Sequence, residues 1–138
     1  MEAKRASKER QVYGYLRVSG QGQQAGHGFQ RQKEAIDRWA EKAGCTIVNT
    51  FQDAYTGTAD ALDRPGFARL MESVNGHRTI VVERLDRLAR SVNVQEQAIL
   101  WLAAKEIDLI VADTGENVTE AYRSDPMKKA LVQIQGVF

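Results

Sequence analysis

Cysteine is nearly missing from this chain. Cys45 stands alone among 138 residues, which excludes an internal disulfide. Histidine is almost as scarce, and with His27 and His77 as the only two, a zinc centre has too few ligands to draw on. No apolar run reaches the length of a membrane span. The charged start, Met1-Glu2-Ala3-Lys4-Arg5, is followed by no apolar core, so it reads as neither a secretion signal nor an anchor. An excess of charge of one sign is missing too: 19 lysines and arginines face 18 aspartates and glutamates. That balance falls short of a free-standing DNA-binding module, so any contact with nucleic acid must rest on local positive charge. A cytosolic protein is the plain reading of these absences.

What is present suits one ordinary domain with a real core: 138 residues, 43% hydrophobic and 27% charged, a balance that excludes a disordered chain. Residues 1–10 are polar and of mixed charge and read as a disordered leader. From Gln11 to Val18 an aromatic and apolar stretch reads as a buried strand, with Arg17 and Ser19 two apart and so directed to one side. A glycine- and glutamine-rich loop follows, containing Gly20, Gly22, Gly26 and Gly28. Apolar residues then recur at helical spacing from Phe29 to Ala43, and Gly44 stops the helix.

Thr46 to Phe51 reads as a second strand, with a polar loop after it from Asp53 to Asp63. Asp63-Arg64-Pro65 has the form of a helix start, aspartate at the cap and proline just inside, and that helix ends at the Asn75-Gly76 turn. Thr79-Ile80-Val81-Val82 carries the strongest strand signal, as a strand buried on both faces should. A charged turn from Glu83 to Arg90, a helix from Val94 to Ala104, and a strand from Ile107 to Ala112 complete the series. Asp125-Pro126 opens a last helix through Met127, Leu131 and Ile134. Strands alternating with helices predict an α/β domain, doubly wound around a mostly parallel sheet of about four or five strands. Ligands of such sheets gather at the carboxyl ends of strands, where Arg17 and Ser19 and the Glu83–Arg90 turn both fall.

The glycine loop fits neither of the two common phosphate cradles. It has one residue too many for the dinucleotide fingerprint, and no Gly-Lys-Ser/Thr triplet stands at the required distance. In Leu85-Asp86-Arg87-Leu88-Ala89-Arg90, the two arginines three apart project from one face of a helical turn and can clamp a phosphate. Taken singly, that turn reads as a solvated turn with local ion pairs, Arg64 as an exposed first-turn residue, and Ser19 as a hydrogen-bonding loop serine. Together they describe different chemistry. A serine is a weak nucleophile that needs a base or a field, and arginines can stabilise the charge of a phosphoryl transfer without a metal.

The ordered set Tyr15-Leu16-Arg17-Val18-Ser19, Gln32 within a helix, Asp63-Arg64-Pro65-Gly66-Phe67, and Leu85 to Arg90 resembles the N-terminal catalytic domain of the serine recombinases, the family of resolvases, invertases, large integrases and some transposases. The resemblance runs from Gln11 nearly to the end. It implies a resolvase-like fold over residues 11–125, with residues 126–138 as the start of a long oligomerisation helix and the DNA-binding domain absent from this chain. It further implies that Ser19 attacks a DNA phosphate, leaving a 5′-phosphoserine and a free 3′-hydroxyl, before strand exchange and religation. Arg17, Arg64, Arg87 and Arg90 match the arginines around that phosphate, Gln32 an active-site glutamine, and Asp86 an aspartate for proton transfer or arginine positioning. No cofactor and no metal are implied. DNA is the implied partner through the full-length protein, as are a dimer and a synaptic tetramer, in the cytoplasm of a prokaryotic host or in a phage or mobile element. Two other classes stand beside this one: a non-catalytic oligomerisation module of the same shape, and a metal-dependent nuclease using Asp53, Asp63, Glu83 and Asp86.

Overall fold

The computed structural model describes residues 10–19, 23–54, 64–74 and 78–137. Nearly all of the expected leader, the Asp63 cap, the Asn75-Gly76 turn, Gly20 and Gly22, and most of the polar loop after Asp53 lie outside these. In chain order the elements are β1 (Gln11–Val18), α1 (Gln23–Ala43), β2 (Thr46–Ala54), α2 (Pro65–Ser73), β3 (Thr79–Val82), a 3-10 turn (Leu85–Arg87), α3 (Val92–Ala104), β4 (Asp108–Val111), β5 (Glu116–Asn117), α4 (Val118–Ser124) and α5 (Pro126–Val137). The sheet order is β2-β1-β3-β4-β5. All neighbours run parallel except β4 and β5. This is the doubly wound architecture, with its topological switch between β1 and β3.

Strand alternation divides the core in two. On one face Val12, Leu16, Val81 and Ile110 pack with Ile36 of α1. On the other, Tyr15, Ile80, Val82 and Leu109 meet Phe67 and Leu70 of α2 and Leu102 of α3 in the larger cluster. Each aliphatic side chain buried to this degree contributes about 1.5–3 kcal/mol. Tyr15 also meets Phe67 edge to face, with ring centroids 5.4 Å apart. On the solvent side of α5, Met127, Leu131 and Ile134 remain exposed, while Val132 packs on the core.

Three differences from the sequence reading bear on the site. First, α1 begins at Gln23, not Phe29, so Gly26 and Gly28 belong to a helix rather than to a loop. The glutamines before them are good helix formers. Gly28 is small because the helix crosses β1 there: a Cβ would lie 2.8 Å from Val18 Cγ1. Second, β2 runs on to Ala54 because β1 stays in register with it as far as Val18. Third, β5 and α4 have no counterpart among the predicted elements. A two-residue strand has no period to read, and α4 starts where Asn117 accepts the amides of Thr119 and Glu120. Gly44 stops α1 as expected, with φ +70.

Beyond Gly14, β1 has no further pairing with β3. That divergence opens the carboxyl end of the sheet, and what fills the gap defines the site.

Candidate active site

Arg17 is the last inward-facing residue of β1 on the α2–α3 side and is only 5% exposed. Its backbone is held by an unusual partner. The Gln32 side chain accepts the Arg17 N–H (3.2 Å) and donates to the Arg17 carbonyl (2.9 Å), replacing the strand pairing that β3 no longer gives. Gln32 is fully buried, so both bonds are shielded from water. Replacing it with leucine leaves a buried donor and acceptor unmet. We expect Gln32→Leu to lower stability by about 2 kcal/mol, measured as a shift of the urea midpoint at unchanged slope.

The turn after β3 forms the opposite wall. Four successive carbonyls there accept bonds from side chains of other elements. Arg17 donates from NH2 to Asp86 O (2.6 Å) and from Nε to Arg87 O (3.1 Å). Arg64 donates to Leu88 O (3.0 Å), and Gln95 to Ala89 O (2.7 Å). Residues 86–89 are thus fixed from outside as well as by the turn's own bonds, Arg87 N–H to Arg84 O and Leu88 N–H to Leu85 O.

Ser19 stands one residue past β1, exposed, and its hydroxyl has no hydrogen-bond partner among the described residues. It lines a cleft of about 110 Å³ together with Arg17, Asp86, Arg87 and Arg90. Three guanidinium groups against one carboxylate make this a local positive field in a chain of nearly balanced charge. Asp86 is about half exposed and contacts Arg84 (3.4 Å) and Arg87 (3.8 Å). A small, polar, cationic cleft with a hydroxyl on its wall is suited to one tetrahedral anion and its oxygens.

Arg64 does not line the cleft. It is buried at the start of α2, where NH1 donates both to Leu88 O and to the Tyr15 hydroxyl (3.1 Å). Tyr15 in turn donates to Asp53 Oδ2 (2.7 Å). The Asp53 carboxylate also accepts the amides of Gly66 (2.7 Å) and Phe67 (2.9 Å). Asp53 therefore caps α2 from β2, and its negative charge sits at the positive end of that helix. The residue in the cap position itself, Arg64, makes no side-chain cap bond. Burial, reinforced by the bond to Asp53, pushes the Tyr15 phenol above its ordinary range. It therefore stays protonated at neutral pH, donor to Asp53 and acceptor from Arg64.

The structure thus brings Arg17, Ser19, Asp86, Arg87 and Arg90 together at one cleft and places Gln32 and Arg64 behind it as supports. Sequence reasoning treated Tyr15 as strand filling and Asp53 and Glu83 as metal-ligand candidates, and so missed all three as parts of the site. For Asp53 the available signal was its place just past the end of the expected strand at Phe51; the structure puts it inside β2, beside Arg17 in the sheet register. Among the described residues no three His, Cys, Asp or Glu side chains converge on a common point. Asp53 and Glu83 are instead committed to Tyr15, two amides and two arginines, a donor set that does not fit a two-metal centre.

A mostly parallel, doubly wound sheet with a small cationic cleft at its switch point defines the class of the domain. The family follows from direct comparison. Residues 12–138 match the model of the resolvase N-terminal domain, and the chain belongs to that family of serine recombinases. It is 28% identical over 113 residues to the Tn2501 transposon resolvase of Escherichia coli, covering 80% of this chain and 54% of that protein. The chain therefore spans about half the length of that relative. Among solved structures it resembles the N-terminal catalytic domain of TP901-1 integrase, with a TM-score of 0.60 at 26% identity, covering 93% of this chain and 92% of that one. A resolvase-family site-specific recombinase from Streptococcus pneumoniae shares the fold, with a TM-score of 0.66 at 23% identity over 94% and 87% of the two chains.

Proposed function

We propose that this chain is the catalytic domain of a site-specific DNA recombinase in which Ser19 is the nucleophile. The observation that carries the reading is the convergence of the Ser19 hydroxyl with Arg17, Arg87 and Arg90 on one cleft at the carboxyl ends of β1 and β3. Ser19 Oγ attacks the phosphorus of a DNA phosphodiester, the new O–P bond forms, and the P–O3′ bond breaks. The products are a 5′-phosphoserine and a 3′-hydroxyl. The serine proton leaves as the bond forms, and we assign Asp86, which lines the same cleft, to take it. Protonation of the 3′ oxygen completes the exchange, and religation is the same step reversed. Arg87 and Arg90 stabilise the charge that gathers on the non-bridging oxygens. Arg17 and Arg64 hold the turn that presents them.

DNA and further copies of the protein are the partners this reading requires. The exposed stripe of Met127, Leu131 and Ile134 on α5 lies at helical spacing and is an apolar face for a homo-oligomer contact. No helix among the described residues is long and apolar enough to cross a membrane. A cytoplasmic site of action in a prokaryotic host is in keeping with the resolvase family.

The test is covalent trapping. The natural full-length protein is incubated with its own recombination site carrying a nick opposite the cleavage position, and protein–DNA adduct is resolved under denaturing conditions. We expect an adduct from the parent and none above background from Ser19→Ala. Equal adduct from both sinks the nucleophile assignment. No adduct from either favours the non-catalytic module.

A further inference from the structure

Glu83 has no part in the reaction just described, yet it is buried behind Arg87, 7% exposed. Its backbone is fixed beyond the formal end of β3. Val82 O accepts the Ala112 amide and Glu83 O the Asp113 amide, so the chain keeps to the line of β4. The chain bends at Glu83, and its ion pair with Arg31 shows the side chain directed towards α1. There its two oxygens are divided. Oε2 meets Arg31 NH1 of α1, and Oε1 meets Arg87 Nε at 3.3 Å.

The division matters for Arg87. A guanidinium held at Nε cannot spin about its own axis, and its terminal nitrogens then have one direction to face. Arg87 is otherwise drawn to Asp86, whose carboxylate lies 3.8 Å from the same Nε. A neutral residue at position 83 would leave that pull unopposed beside two further cations. A buried carboxylate in turn needs its second oxygen satisfied, and Arg31 does this from the residue next to Gln32, which clips the Arg17 backbone.

We propose that Glu83 is a positioning residue for Arg87, holding Nε so that the terminal nitrogens are presented to the phosphate, with Arg31 as its counter-ion. The proposal rests on the phosphodiester chemistry assigned to Ser19 above. Its test uses the natural full-length protein and the nicked site, with single-turnover adduct formation and DNA affinity measured separately. Failure of the parent to form adduct strikes the recombinase reading itself. Given a parent adduct, Glu83→Gln, nearly equal in size, is expected to slow its formation about tenfold with DNA affinity within error of the parent and the protein still folded at the assay temperature. Glu83→Asp, which restores the charge, should recover part of that rate. In an Arg87→Lys background, where no Nε exists, Glu83→Gln should have no further effect. The proposal is overturned if Glu83→Gln reacts at the parent rate or faster, if Glu83→Asp is no better than Glu83→Gln, or if the same loss persists in the Arg87→Lys background.

Discussion

Replacing Asp53 with alanine is expected to remove about 3–5 kcal/mol of stability, a large part of the margin of an ordinary domain. The carboxylate is buried and answers three donors: the Tyr15 hydroxyl and the amides of Gly66 and Phe67. Alanine strands all three and leaves the first turn of α2 uncapped. The loss does not stop at α2. Arg64 binds the same Tyr15 hydroxyl and the Leu88 carbonyl from one nitrogen, so a loosened Tyr15 loosens the turn that carries Arg87 and Arg90. Chemical denaturation should show the fall, and the variant should accumulate poorly on expression. Asp53→Asn keeps the shape, and its amide oxygen still accepts, so it should lie between parent and alanine. If Asp53→Ala unfolds at the parent midpoint, the capping role is wrong.

Gly66→Ala is expected to cost about 3 kcal/mol and to lower the melting temperature by roughly ten degrees. At Gly66 a Cβ would lie 2.2 Å from the Gln52 carbonyl oxygen and 2.8 Å from both Gln52 C and Asp53 Oδ2. Two of these are backbone atoms, and the third belongs to a side chain already held by three donors. Gln52 is locked in β2 by its register with Leu16 of β1, so it cannot retreat without shifting the strand that leads to Ser19. Gly26 supplies the control. A Cβ there meets nothing within 4 Å, and the residue lies inside α1. Gly26→Ala should therefore be neutral or stabilise by up to about 1 kcal/mol. Similar thermal curves for the two variants would show that the contact at Gly66 is not close.

The scaffold was largely legible in the sequence, because strands such as Thr79–Val82 and helices such as Phe29–Ala43 announce themselves by composition and period. The cleft was legible for a different reason: Arg17, Ser19, Arg87 and Arg90 fall at the carboxyl ends of strands, where the topology directs ligands. The buried layer behind it was not. Gln32 could be named, but its partner is the backbone of Arg17, which no side-chain pattern reveals. Asp53 meets partners 13, 14 and 38 residues away, and only the fold brings them together. Glycines misled the reading of residues 23–28, because a glycine such as Gly28, required for close contact inside a helix, looks the same as one that ends it.

The side-chain hold on the carbonyls of residues 86–89 has a consequence for the newly made chain. Arg17 reaches its two carbonyl partners across sequence separations of 69 and 70 residues. Contacts so distant must wait until the intervening elements have collapsed and closed the loop between them. Synthesis delivers Ser19 early and the arginine-bearing turn much later. Through that interval the serine is an ordinary hydroxyl at the end of an unfinished strand, and the cleft it lines arrives only with the finished fold.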